Sequence, residues 1–151
     1  MPQLVLPRLE AFLENLKKLA FTNTQVNLED LRIFGKLPKL EALKLRFASS
    51  SIGTKAEVVE EGFPRLKFFM LSRLNIRYWR ANSDIFPCLE RLFLVCMNME
   101  SISEDLPEIT TLQLIDIRMC ESSVVNFAKK IQQEIENNYG GSIEVRFRYI
   151  L

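Results

Sequence analysis

Apolar residues in this chain come in short alternating bursts that return at a steady interval. Five segments share the form L-x-x-L-x-L: Leu16-Lys-Lys-Leu19-Ala-Phe21, Leu40-Glu-Ala-Leu43-Lys-Leu45, Leu66-Lys-Phe-Phe69-Met-Leu71, Leu89-Glu-Arg-Leu92-Phe-Leu94 and Ile109-Thr-Thr-Leu112-Gln-Leu114. Their first positions, 16, 40, 66, 89 and 109, step by 24, 26, 23 and 20 residues. Within each burst the fourth and sixth positions are apolar and their neighbours vary, which is the period of a short strand with one buried face. Four bursts follow an apolar residue plus proline: Leu37-Pro38, Phe63-Pro64, Phe86-Pro87 and Leu106-Pro107. Proline has no N–H to give to a ladder, so it suits the corner before a strand begins.

A repeat of 20–29 residues with one strand per unit is the period of leucine-rich repeats, whose units stack because none can bury its leucines alone. The predicted fold is therefore an α/β leucine-rich-repeat solenoid with a concave parallel sheet. Three rows of side chains should line that sheet. The first reads Lys18, Ala42, Phe68, Arg91, Thr111 and the second Ala20, Lys44, Met70, Phe93, Gln113. The third reads Thr22, Arg46, Ser72, Val95, Ile115. On the return path Asn27–Gly35 reads as a short helix, with Asn27 able to cap and Gly35 able to stop it. The Ser- and Glu-rich stretch 48–62 reads as the longest loop.

Residues 122–151 depart from the pattern. Ser122 or Ser123 can cap a helix in which Val124, Phe127, Ala128, Ile131 and Ile135 recur at helical spacing, and Gly140-Gly141 end it. Ile143, Val145, Phe147 and Tyr149 then alternate with Glu144, Arg146 and Arg148, a strand of period two. The chain thus divides into about five repeats over 1–121 and a helix and strand over 122–151 that cover the last repeat. The first repeat starts soon after Met1 with no N-terminal cap, so a longer natural protein is expected.

Composition narrows the chemistry. The 151 residues are 48% hydrophobic and 26% charged, the balance of a soluble globular chain. No apolar run approaches the roughly 18–20 residues of a membrane span. Twenty basic against nineteen acidic residues leave a net charge of +1, so bulk charge points to neither nucleic acid nor anionic membrane. Cys88, Cys96 and Cys120 are odd in number and lack CxxC spacing, which favours reduced thiols in a cytosolic setting. Histidine is absent altogether, so histidine-based triads and metal sites are excluded. The five glycines form neither a P-loop nor a dinucleotide fingerprint. The chain reads as no enzyme, with no cofactor and no metal of its own.

Several stretches carry a more specific likeness. Leu13-Glu14-Asn15-Leu16-Lys17-Lys18-Leu19, the run from Ile33 to Leu45, Tyr78-Trp79-Arg80-Ala81, Phe86-Pro87-Cys88-Leu89-Glu90-Arg91-Leu92, Thr111–Ile117 and Ile131-Gln132-Gln133-Glu134 resemble plant intracellular NB-LRR immune receptors. Within them the likeness is to the coiled-coil class of late blight resistance protein-like receptors of the nightshade family. One departure is Ile102-Ser103, where that family has Ile-Pro. The resemblance implies the C-terminal leucine-rich-repeat part of a cytoplasmic defence receptor. There the repeats sense pathogen effectors and restrain a nucleotide-binding switch domain that holds ADP at rest. ADP or ATP is expected only in that domain, which this chain does not contain. The implied partners are proteins: an effector, a host guardee or the receptor's own nucleotide-binding domain. The alternative reading is the substrate-recruiting repeat domain of an F-box type ubiquitin-ligase adaptor.

The candidate protein-binding residues follow from the register: Lys44, Arg46, Phe68, Met70, Arg91, Phe93, Val95 and Gln113 on the concave face. Arg77, Tyr78, Trp79 and Arg80 mix aromatics with arginines, the types enriched at binding hot spots, and form the alternative site.

Overall fold

The computed structural model describes residues 14–22, 34–46, 55–56, 62–73, 78–79, 81–97 and 101–148. One parallel sheet dominates. Its six strands are β1 (Lys18–Thr22), β2 (Ala42–Arg46), β4 (Phe68–Ser72), β6 (Arg91–Val95), β8 (Leu114–Arg118) and β9 (Glu144–Arg148), lying side by side in that order. Two-residue strands β3 (Lys55–Ala56), β5 (Tyr78–Trp79) and β7 (Ser101–Ile102) alternate with them along the chain and form a second parallel ladder. A 3-10 turn (Leu106–Glu108) precedes β8, and helix α1 (Ser122–Asn138) joins β8 to β9. This is a solenoid: each neighbouring pair of long strands is separated in sequence by one full repeat.

The leucine pattern builds the core directly. Leu43 and Leu45, Phe69 and Leu71, Leu92 and Leu94, and Ile115 and Ile117 point inward and are buried in one continuous cluster. Behind them the first position of each motif, Leu40, Leu66, Leu89 and Leu112, is buried too. The aromatic-proline corners contribute their rings to this core. Phe63 stacks on Phe86 with centroids 5.6 Å apart, and Phe69 lies 5.5 Å from Phe86. Each corner closes with a turn in which the N–H of Leu40, Leu66, Leu89 or Leu112 meets the carbonyl three residues back.

Backbone groups just outside the strands are also shared between repeats. One carbonyl before each of β1, β2, β4 and β6 accepts two successive N–H groups of the next repeat: Lys17 from Glu41 and Ala42, Glu41 from Lys67 and Phe68, Lys67 from Glu90 and Arg91, Glu90 from Gln113 and Leu114. Just after the strands, Arg73, Cys96 and Met119 occupy equivalent positions and share a left-handed backbone, with φ of 60°, 51° and 53°. Their N–H groups donate to Val95, Arg118 and Arg148 of the next strand. The chain leaves each of these strands by the same sharp turn, which reverses it toward the return path.

The fifth repeat departs from the register that spacing suggests. Arg91 pairs with Leu114, Phe93 with Asp116 and Val95 with Arg118. Its framework is therefore Leu112-Gln-Leu-Ile115-Asp-Ile117, starting 23 residues after Leu89 rather than 20. Apolar residues three apart at 106, 109, 112 and 115 allow the motif to be laid down in two ways, and Leu106-Pro107 favoured the wrong one. That proline sits one turn earlier, in the 3-10 segment, and Thr110 holds the corner position. Gln113 consequently precedes the strand, equivalent to Glu90, while Thr111 lies before it and Ile115 is core.

Helix α1 buries Val124, Val125, Ala128, Ile131 and Ile135, close to the predicted stripe. Its N-cap is Glu121, without a side-chain cap bond, rather than either serine. Gly140 follows its C-terminus at φ +66°, a left-handed stop as expected. Strand β9 pairs in parallel with β8 from Leu114↔Glu144 to Arg118↔Arg148, so it adds a sixth rung to the same sheet. The helix predicted from Asn27 lies mostly outside the described residues, as does most of the 48–62 loop.

Two pairs of substitutions test this architecture. Ile115→Ala is expected to cost about 2–4 kcal/mol in denaturant unfolding, whereas Gln113→Ala stays within about 0.5 kcal/mol. Equally small losses for both would restore the register read from spacing alone, in which both side chains face outward. Gly62 has φ +72°, and a Cβ there would sit 2.7 Å from the Ile85 carbonyl oxygen. Gly62→Ala should therefore lower the melting temperature clearly, while Gly140→Ala, at a similar φ but with open space around it, should lower it less.

Candidate protein-binding face

Side chains that alternate with the buried leucines line the outer face of the sheet. The true rows are Lys18, Ala42, Phe68, Arg91, Leu114, Glu144; then Ala20, Lys44, Met70, Phe93, Asp116, Arg146; then Thr22, Arg46, Ser72, Val95, Arg118, Arg148. Of the predicted binding residues, Lys44, Arg46, Phe68, Met70, Arg91, Phe93 and Val95 occupy the positions the spacing gave them. Gln113 does not; Asp116 stands in its row. Four further residues of this face, Asp116, Arg118, Arg146 and Arg148, come from the shifted fifth repeat and from β9. The signal for Asp116 and Arg118 was present in Leu112-x-x-Ile115-x-Ile117, whose 23-residue step fits the other repeats better than 20.

Phe68, Met70, Phe93 and Val95 sit together on β4 and β6, half-buried rather than fully open. The reason is that the two rings stack on one another, centroids 4.8 Å apart. Cations cover the outer ends of the stack: Lys44 Nζ lies 5.3 Å from the Phe68 centroid and the Arg118 guanidinium 5.4 Å from that of Phe93. Positive charge over an aromatic face is attractive. A diagonal stripe, Lys44–Phe68–Phe93–Arg118, thus crosses four adjacent strands.

Asp116 anchors the end of the stripe. Its side chain is fully buried, and Arg118 Nε donates to Oδ1 at 3.0 Å. Its second oxygen, Oδ2, has no hydrogen-bond partner among the described residues. Next to it on β9, Arg146 makes a two-pronged contact with Glu144, at 2.8 and 3.2 Å. That contact holds the Glu144 carboxyl below its usual range and raises the Arg146 guanidinium. At the margin, Lys67 and Glu41 form an exposed pair at 3.6 Å.

The alternative cluster belongs elsewhere. Tyr78 and Trp79 form β5 of the second ladder, on the return path rather than in the main sheet, and Arg77 and Arg80 lie outside the described residues.

Cys120 has a structural role that residue type alone did not reveal. It stands three residues after Ile117, the place where leucine-rich repeats carry Asn or Cys. Its sulfur accepts the Met97 N–H at 3.4 Å and its S–H lies 3.3 Å from the Leu94 carbonyl. Burial pushes the thiol pKa up, which keeps the proton on sulfur for that donation. Removing it leaves two backbone groups unmet, so Cys120→Ala should cost about 1–3 kcal/mol by chemical denaturation. An unchanged midpoint would mean these contacts contribute nothing.

No protein-family model matches the chain. Individual relatives do. Late blight resistance protein homolog R1B-13 of Solanum demissum is 35% identical over 104 residues, which is 68% of this chain and 9% of that protein. Homologs R1B-16 and R1B-23 of the same plant are each 34% identical, over the same 68% of this chain and 8% of their own length. The chain therefore spans under a tenth of these relatives. Among the described residues, no helix is long and apolar enough to cross a membrane. The parallel ladder, the leucine register and these matches together make the chain a leucine-rich-repeat segment belonging to the late blight resistance protein group of NB-LRR-like plant proteins.

Proposed function

We propose that this segment is a protein-binding, non-catalytic surface of a plant immune receptor, sensing a pathogen effector or guarded host protein and restraining the receptor's own switch domain. What carries the reading is the stacked Phe68–Phe93 pair, held in the middle of the outer sheet face by cations at both ends. Aromatic rings fixed in one orientation lose little freedom on binding, and such residues dominate interface energetics. The relatives are named for resistance to late blight, which fits a role in defence. A repeat array also suits the task, because its long sheet offers one broad surface to another protein.

A leaf cell-death assay tests this in a receptor that carries these repeats. Phe93→Ala should cut recognition, or release cell death without an effector, with a loss of about 2 kcal/mol or more in partner affinity if Phe93 is a hot spot. Protein accumulation should stay at the wild-type level, because Phe93 faces outward. Full recognition and full restraint in the variant would overturn the reading.

A further inference from the structure

The near-zero net charge of the chain conceals a strongly one-sided distribution. Seven basic side chains project from the outer face of the main sheet: Lys18, Lys44, Arg46, Arg91, Arg118, Arg146 and Arg148. Two acidic ones join them, Asp116 and Glu144. The whole chain has 20 basic and 19 acidic residues, so outside this face acidic groups outnumber basic ones, 17 to 13. The two acids on the face are already engaged, Asp116 by Arg118 and Glu144 by Arg146. Among the described residues, Lys18, Arg46, Arg91 and Arg148 make no ion pair, and all four are exposed.

We propose that this face docks an extended acidic protein segment that carries at least one apolar side chain. The inference rests on the protein-binding reading above and adds the chemistry of the partner. From β2 to β9 the face spans four strand spacings, about 19 Å, which is the length of about six extended residues. Arg46 and Arg148 stand at the two ends of that span in the same row, with Ser72, Val95 and Arg118 between them. Carboxylates would meet the terminal arginines, and an apolar side chain would settle beside Met70, Phe93 and Val95. Arginine's planar fork suits carboxylates, to which it can give two parallel hydrogen bonds.

A single-stranded nucleic acid is the other polyanion such a face could attract, and the rings argue against it. Bases need an open aromatic face to stack on. Here the rings of Phe68 and Phe93 cover one another, while Lys44 and Arg118 lie over their remaining faces. What is left is the ring edges and the neighbouring Met70 and Val95, which suit an aliphatic side chain.

The test uses the full chain and fluorescence anisotropy with three probes: a short labelled peptide alternating glutamate and leucine, its counterpart with lysine for glutamate, and an oligouridylate. The glutamate peptide should bind, weaken as salt is raised, and lose about tenfold or more in affinity in the Arg46→Glu/Arg148→Glu double variant. Both arginines are exposed, so the variant should keep the wild-type circular dichroism and melting temperature. Equal binding of the lysine peptide, or no loss in the double variant, would overturn the proposal. Tighter binding of the oligouridylate would overturn it in favour of nucleic acid. The same double variant in the cell-death assay separates the two ideas. If Phe93→Ala changes recognition and the charge reversal does not, the acidic partner fails while the protein-binding surface stands. If neither changes it, both fail.

Discussion

Every other feature of this molecule depends on the register in which each strand pairs with the next. A parallel strand has no partner within its own repeat, so all its ladder groups must be met by the units on either side. Here that sharing extends past the strands. Lys17, Glu41, Lys67 and Glu90 each offer one carbonyl to two N–H groups of the following repeat, and Arg73, Cys96 and Met119 each donate onward on the far side. Between β4 and β6 and between β6 and β8 both ends are tied in this way, so slipping by one position would break those bonds. It would also turn Leu92 and Leu94 out to solvent and bring Arg91 and Phe93 in. The buried leucines and the outer rows are therefore two sides of one constraint.

That constraint made most of the fold legible from sequence. Leucines at 40, 43 and 45, at 66, 69 and 71 (with Phe69 for leucine) and at 89, 92 and 94 leave one way to lay the strand, and the outward positions of those repeats follow. The fifth repeat failed because its spacing was degenerate. Ile109, Leu112 and Ile115 are equally good anchors by hydrophobicity; the 23-residue step to Leu112 favours one of them, and the pairing of neighbouring units along their length fixes it. Proline was a poor arbiter: Pro107 is accommodated by a 3-10 turn one step earlier, where its missing N–H costs nothing. The terminal strand was seen as a strand, but its parallel pairing with β8 is a tertiary fact that its alternation could not contain. Those two steps together hid Asp116, Arg118, Arg146 and Arg148.

Their omission changed the electrostatic picture. Read by composition, the chain is nearly neutral and suggests no charged partner. Read by face, one side of the sheet carries most of its charge with one sign. Interactions between exposed charges decay within about 8–10 Å at physiological salt, so a partner lying on this face responds to the local groups far more than to the total. Net charge is informative for solubility and distant steering, and a poor guide to a surface a few strands wide.

Asp116 illustrates how such a surface is held still. A fully buried carboxylate loses its hydration, and a single ion pair often fails to repay that cost. Replacing a buried ion pair by well-packed apolar groups is often neutral or stabilising, so a hydrophobic side chain in its place would serve stability at least as well. What an apolar residue could not do is fix a guanidinium. With Nε bound to Asp116 and the guanidinium over Phe93, Arg118 is gripped from two directions, and Phe93 is gripped in turn between Arg118 and Phe68. Arginine and phenylalanine otherwise surrender rotamer freedom when a partner immobilises them, at about 0.5–1.5 kcal/mol for each rotamer-rich side chain. Here much of that ordering is complete before any partner arrives, and the buried carboxylate is the group that completes it.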